Sequence, residues 1–366
     1  MSLVSAISRN LQFRLDPETA HVMSIYWLKT GLAPISRSMP DPRLAVTTAG
    51  LVFPNPVGLA AGYDKNAAVP DAVLKMGFGF AEIGSVTPHP QTGNDKPRIF
   101  RLAGHNAVIN RLGFNNQGYQ AVLARLAARH GKGGIVGVNI GANKDSTDFI
   151  ADYELGIETF WPVASYFTAN VSSPNTPGLR NMQAAAKLRE LLKRLLDKRD
   201  QMAVQTAQAR AVFVKIAPDL EQQQMEEIAK VISASALDGL IVSNTTLSRV
   251  GVESDPNASQ AGGMSGQPLF ERSTITLARM RQLLGERLPI IGVGGINDTA
   301  SALAKLEAGA TLLQLYTGMI YRGPMLADEI CKGLAAVLEY RCLQDISALT
   351  GSRNGEWASR KLPGES

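Results

Sequence analysis

The sequence predicts a (β/α)8 barrel preceded by a short helical extension, and three observations carry that prediction. From residue 57 a pattern recurs eight times: a short apolar run, a break rich in Gly, Asn, Ser or Thr, then a stretch with helical spacing. The runs are almost continuously apolar, as parallel strands buried on both faces are. A chain of 366 residues, 45% hydrophobic and 19% charged, is long enough for one large α/β unit with appendages. Eight strand–helix units in succession suit a closed barrel. A doubly wound open sheet is the competitor, because periodicity does not show closure.

Residues 1 to about 40 read differently from the rest. Leu3, Val4, Ile7 and Leu11 recur at helical spacing, with Arg9 and Arg14 off that face. Asp16-Pro17-Glu18 then supplies an N-cap, a proline at the first helical position and an early acid. The second helix is predicted to run to about Thr30 and stop at Gly31. It carries Val22, Met23, Ile25, Tyr26, Trp27 and Leu28, more apolar surface than a solvated helix should show. Pro34 and Pro40-Asp41-Pro42 make a rigid linker. Residues 44–56 hold short β-like pieces, read as a hairpin that closes the bottom of the barrel.

The strand runs are 57–61, 80–86, 135–140, 166–171, 211–216, 239–242, 289–293 and 311–316. Helices are predicted between and after them at 66–76, 117–130, 148–164, 183–207, 221–235, 271–284, 298–308 and 324–340. The chain thus divides into a helical cap (1–40), the barrel (41–340) and a tail (341–366) to which the sequence assigns no role.

Composition excludes several function classes. Cys331 and Cys342 both fall in the last helical pattern, which rules out a disulfide framework or a zinc site. The formal charge of +5 is modest, and basic runs such as 187–199 read as a solvated helix face. No aromatic–basic interleaving suggests nucleic acid. No run of 18 apolar residues suggests a membrane span, and no secretory signal opens the chain.

In such a barrel the functional groups gather at the C-terminal ends of the strands. The richest end is 170–180, Asn-Val-Ser-Ser-Pro-Asn-Thr-Pro-Gly-Leu-Arg, with amides and hydroxyls held between two prolines and no carboxylate. Taken alone it is compatible with an Asn/Ser/Pro turn. Across all the ends only Asp64 and Asp219 are acids, and no histidine ends a strand. Glycoside hydrolysis and metal-assisted hydrolysis therefore lack their residues. Asn110, Asn139, Asn170, Asn175 and Asn244 can read a planar ring that alternates C=O and N–H. Lys65 and Lys215 follow apolar strands and need an anion when buried. Gly292-Val293-Gly294-Gly295-Ile296 and Tyr316-Thr317-Gly318 let backbone N–H groups approach a phosphate. The chemistry points to a phosphorylated cofactor such as FMN, a flat polar substrate and no metal.

With those residues in view the chain resembles the class 2, quinone-reducing dihydroorotate dehydrogenases, from about Asp16 to Ala336. The motifs are AAGYDK (60–65), GNDKPRIFRL (93–102), INRLGFNNQG (109–118), NVSSPNTPGLR (170–180), VKIAPDL (214–220), SNTT (243–246), GGMSGQPL (262–269) and IIGVGGI (290–296). The resemblance implies oxidation of (S)-dihydroorotate to orotate on FMN in UMP synthesis, with the flavin reoxidised by a membrane quinone. It implies Ser173 as the base that takes the C5 proton, with Thr176 and Phe114 bordering the proton's exit. Orotate would meet Lys65, Asn110, Arg111, Leu112, Gly113, Phe114, Asn170, Asn175, Asn244 and Thr245. FMN would meet Ala61, Gly62, Lys65, Ser85, Asn139, Asn170, Lys215, Ser243, Gly266, Gly295, Tyr316 and Thr317. His21, Arg101 and Tyr316 would line a quinone tunnel under the N-terminal cap. Two departures are Ser85, where threonine is common, and Tyr63, at an often apolar position.

Ser173 in place of cysteine and the N-terminal extension argue against a class 1 enzyme that passes electrons to fumarate or NAD. A third reading is a barrel that binds a phosphorylated ligand without redox chemistry. Arg9, Arg14, Lys29 and Arg37 flank the apolar cap, which suits peripheral contact with anionic lipid. No Arg/Ser-rich presequence precedes the first helix, so the expected setting is the cytoplasmic side of a cell inner membrane.

Overall fold

A computed structural model describes residues 15–175 and 178–365. The helix predicted over the first residues, with Leu3, Val4, Ile7 and Leu11, lies outside the described residues, as does Thr176. Strands Val46–Thr48 (β1) and Leu51–Phe53 (β2) form the expected hairpin. The barrel strands begin with Val57–Leu59 (β3) and Phe80–Val86 (β4). Ile99–Leu102 (β5) and Ala107–Asn110 (β6) stand outside the barrel. Then come Ile135–Ile140 (β7), Tyr166–Asn170 (β8), Ala211–Ile216 (β9) and Gly239–Val242 (β10). Gly263–Gly266 (β11) joins the outer pair, and Ile290–Val293 (β12) and Leu312–Leu315 (β13) complete the barrel.

Closure is direct. The eight parallel strands pair in the order β3-β4-β7-β8-β9-β10-β12-β13 and return to β3, with Leu313 opposite Val57. The doubly wound alternative is excluded. Nearly every residue of these strands is buried, as continuous apolarity requires when helices cover the outside and side chains fill the inside.

The barrel floor shows why glycines interrupt the apolar runs. Phe53, Phe80, Tyr166 and Phe213 form an edge-to-face series with centroid separations of 5.0, 6.4 and 5.4 Å. A Cβ on Gly58 would come within 2.3 Å of the Phe80 ring, and on Gly137 or Gly239 within 2.1 Å of Tyr166 or Phe213. Each ring therefore occupies the space a neighbouring strand leaves empty, which packs the floor without voids. Phe53 comes from the hairpin, so the hairpin does close the bottom.

The helices fall within a few residues of prediction, with differences at the ends. The predicted 66–76 helix is shortened to Pro70–Lys75, because Asp64 accepts from the amides of Ala68 and Val69 and holds the preceding turn. The last predicted helix, 324–340, is Leu326–Tyr340, preceded by a separate turn of helix at Thr317–Arg322. Cys342 lies just beyond it, and both cysteines are free.

Two features were not foreseen. The sheet β11-β6-β5 is antiparallel, and it joins residues about 150 positions apart in the chain, Gly263 pairing with Asn110. The tail folds back as Ile346–Leu349 and Asn354–Ala358, burying Ile346, Leu349, Trp357 and Leu362 in the main core. Arg341 and Arg353 there meet the buried Glu307 at 2.8 and 3.4 Å.

At the other end, helix Pro17–Lys29 starts as predicted, with Asp16 accepting from the Thr19 amide at 2.9 Å. Leu28 packs into the core, and Glu18 forms a two-point ion pair with the buried Arg98, at 2.7 and 3.1 Å. Its other side stays apolar and exposed, Val22, Met23 and Tyr26 being 60%, 53% and 71% accessible.

Candidate active site

A cavity of about 840 Å³ runs over the C-terminal ends of the barrel strands, from the glycine turn after β12 to the underside of helix Pro17–Lys29. Its walls come from the strand ends that the sequence singled out and from the outer sheet, which contributes Asn110 and Gly266.

At the centre the amides bond to one another. Asn170 donates to Ser85 Oγ at 2.9 Å and accepts from Asn244 Nδ2 at 3.2 Å, while Asn244 also donates to Ser172 Oγ. Asn175 Nδ2 reaches the Asn110 carbonyl at 3.2 Å. Four asparagines from three separate parts of the chain thus face one space. Ser173 is buried in its wall, and its Oγ accepts from the Asn175 amide at 3.3 Å. No acceptor for its own proton is found among the described residues.

Two lysines flank this group. Lys215, on β9 in register with Asn170, is nearly inaccessible, and its ammonium makes no hydrogen bond among the described residues. Burial pushes its pKa down, partly opposed by the Glu82 carboxylate. Lys65 is pushed down to about 8 by burial, with Glu18 pulling the other way.

At one end of the cavity Gly294 and Gly295 take φ of +112° and +75°. A Cβ on Gly295 would meet Phe270 Cβ at 2.4 Å, so only glycine lets this turn pack against Phe270 while its main chain lines the cavity. Thr317 and Gly318 lie beside it, with Thr317 Oγ1 donating to Ser265 Oγ at 2.8 Å.

At the other end His21, Tyr63 and Tyr316 form a ring cluster, with centroid separations of 5.3, 5.4 and 6.4 Å. Burial pushes His21 down to about 3, helped by the Lys65 charge, so its imidazole is neutral. The unusual Tyr63 has a use: its hydroxyl lies 3.1 Å from Ser24 Oγ and ties the helix to the barrel. Arg101 lines this end and donates to the Leu15 carbonyl at 2.8 Å.

Ala61, Gly62, Ser243, Thr245, Leu112, Gly113 and Phe114 also line the cavity. Phe114 sits at φ +54°, uncommon for a bulky residue, with its carbonyl held by Asn116 Nδ2 and Gln91 Nε2 at 2.7 and 3.2 Å.

Two predicted residues do not reach the cavity. Arg111 turns outward over the Phe100 ring and donates to Gln260 Oε1 at 3.0 Å, because its neighbour Asn110 takes the inward position. Asn139 is wholly enclosed one layer behind, accepting from Ser85 Oγ and donating to Glu82 at 2.7 Å.

Glu82 is the residue that the sequence reading missed. It sits mid-strand inside the barrel, fully buried, and also accepts from Tyr166, Thr168 and Gln314. A lone carboxylate within the apolar run 80–86 was the available signal. The two acids at the rim are structural. Asp64 caps a turn, and Asp219 accepts from Thr246, Leu247 and Arg180.

Comparison with known proteins gives the family. Residues 43–338 match the family model described as dihydroorotate dehydrogenase. Proteins named dihydroorotate dehydrogenase (quinone) from Brucella melitensis biotype 2 and Brucella ovis are each 56% identical over 360 residues, 98% of this chain and 99% of theirs. The ligand-free crystal structure of DHODH from Eimeria tenella superposes with a TM-score of 0.87 at 39% identity, covering 92% of this chain and 99% of that one. The Eimeria tenella structure in complex with ferulenol matches equally, covering 92% and 95%. Similarity over nearly the whole length, with the motif residues gathered on one cavity, leads to a plain conclusion: the chain belongs to the dihydroorotate dehydrogenase family.

Proposed function

We propose that this oxidoreductase converts (S)-dihydroorotate to orotate on FMN and delivers the electrons to a membrane quinone, as a step of UMP synthesis. The observation that carries the reading is the convergence of Ser173, four asparagines and two lysines, neither in an ion pair among the described residues, on one cavity that continues under the N-terminal helix.

The residues fit FMN. Gly294 and Gly295 border the cavity with main chain, their missing Cβ positions being taken by Ser273 and Phe270 behind the turn, and Lys215 is a buried cation that makes no hydrogen bond among the described residues. FMN, when bound, supplies the hydride acceptor. Gly266, Gly294, Gly295 and Thr317 hold the phosphate end; Lys215, Asn170 and Ser85 hold the ring. Asn139 acts from behind by fixing Ser85, with Glu82 fixing Asn139.

On the substrate side Asn110, Asn170, Asn175 and Asn244 orient the planar ring, and Lys65 faces its carboxylate. Ser173 takes the C5 proton, and Phe114 borders its exit. Asn175 N–H, by donating to Ser173 Oγ, leaves the serine's own proton to be passed on.

Neutral His21 with Tyr63, Tyr316 and Arg101 lines the quinone approach. The exposed apolar side of helix Pro17–Lys29, beside Lys29 and Arg37, supports peripheral binding to the cytoplasmic face of an inner membrane. No described helix is long and apolar enough to cross a membrane.

The purified protein is expected to be yellow, to bleach when dihydroorotate is added without an acceptor, and to recover its colour with a quinone. Colour restored by fumarate or NAD instead would favour the class 1 reading, and a colourless protein would favour a ligand-binding barrel.

A further inference from the structure

A buried lysine stands directly behind the glycine turn and has no part in the chemistry above. Lys305, on the helix Thr299–Ala308, has 0% of its surface exposed. Its Nζ donates to Ser273 Oγ at 2.6 Å and lies 5.4 Å from the centroid of the Phe270 ring. No carboxylate pairs with it among the described residues. Burial alone pushes its pKa well below the usual lysine range.

Its surroundings connect it to the cavity wall. Ser273 Oγ lies 3.2 Å from the Gly294 carbonyl and 3.1 Å from that of Phe270. The same hydroxyl is what a Cβ on Gly294 would strike, at 2.7 Å, and a Cβ on Gly292 would sit 3.3 Å from Lys305 Cδ. Gly294 and Gly295 line the cavity, whereas Ser273 and Lys305 do not. The ammonium is therefore one hydroxyl away from the turn, on the side facing the helices.

One hydroxyl and one ring face are weak compensation for an ammonium taken out of water, and a methionine would fill the same space at less cost. A fixed charge in a low-dielectric layer does act across a short distance on an anion at the other side of that layer. We propose that Lys305 is a positioning residue for the cofactor phosphate, its amine being held as the ammonium by the phosphate on the other side of the Gly294–Gly295 turn and so making that turn selective for a phosphorylated flavin over the same ring system without phosphate. This rests on the FMN reading above.

The test is a competition. Holoenzyme is titrated with riboflavin, free flavin is removed, and bound FMN and riboflavin are separated and counted. The riboflavin excess needed to displace half of the FMN measures preference for phosphate and cancels any general loosening of the site. In both Lys305→Met and Lys305→Gln that excess is expected to fall about tenfold or more, a change of about 1.4 kcal/mol. An unchanged excess in both variants would overturn the proposal. So would a fall in the methionine variant alone, since glutamine keeps a donor for Ser273 without the charge. Weakened binding of both flavins in proportion means a packing role and also overturns it. Wild-type protein that carries no FMN would sink the cofactor reading and this inference together. Wild type and variants that prefer FMN equally would sink this inference alone.

Discussion

Ser173 illustrates what a single residue can be asked. Its Oγ already accepts from the Asn175 amide, so the hydroxyl is oriented before substrate arrives. Ser173→Ala should keep flavin and orotate binding while turnover falls roughly 10²–10⁴-fold, the range of general-base catalysis. Near wild-type turnover, measured with the flavin content of the same sample, would remove serine from the mechanism. Lys65 makes a different prediction. Its pKa is pushed down to about 8 in the free enzyme, below the 10.5 of an ordinary lysine. Orotate needs the ammonium, so its dissociation constant should rise as pH passes above 8, by about tenfold per unit until the bound-state pKa is reached. The stability sign runs the other way: between pH 8 and 10.5 the unfolded chain holds more protons at this site, so its contribution to stability improves as pH rises. A Lys65→Met variant should show a flatter orotate titration over the same window. A titration as steep as that of the unaltered enzyme would show that some other group binds the carboxylate.

Elements were legible where periodicity is local. The barrel strands come within two residues of prediction, because a strand buried on both faces leaves an uninterrupted apolar run whatever its partners are. The outer sheet of β5, β6 and β11 left no such trace, since Ile99–Leu102 and Gly263–Gly266 are short and their meaning lies in pairing through Ala107–Asn110. The tail was opaque for a related reason: Trp357 and Leu362 are isolated apolar residues until helices Phe270–Leu284 and Thr299–Ala308 provide their partners. Removing 341–366 would leave the Glu307 carboxylate buried without Arg341 and Arg353. It would also strip Ile346, Leu349, Trp357 and Leu362 from the core, so a clearly lower urea midpoint is expected. An unchanged midpoint would mean that the tail is an ornament on the barrel.

At the scale of the whole molecule the cavity joins two tasks, and the N-terminal helix belongs to only one of them. Glu18–Arg98, Ser24–Tyr63 and Leu28 fasten that helix over the end of the cavity farthest from the glycine turn. A chain beginning at Asp41 should still let dihydroorotate reduce the flavin, because the asparagines, Ser173 and Lys215 all lie beyond that residue, on the barrel and its outer sheet. It should lose association with anionic vesicles and most of its rate with a long-tailed quinone. Equal quinone rates for the short and full chains in liposomes would remove the helix from electron delivery.

What the sequence by itself determined was the class of fold, the strands and the set of polar groups at their ends, since apolar runs and glycine turns are properties of neighbouring residues. The motif resemblance added the roles. Tertiary structure decided which way each side chain faces, and that changed the site. Arg111 turned away over Phe100, Asn139 withdrew behind Ser85, and Glu82 and Lys305 emerged from apolar stretches as buried charges. Orientation depends on contacts between strands and helices far apart in the chain, and no local pattern records them. A charge placed mid-strand or mid-helix reads as an exception in one dimension; only the closed barrel, by surrounding it with four donors or a single hydroxyl, gives it a partner and a task.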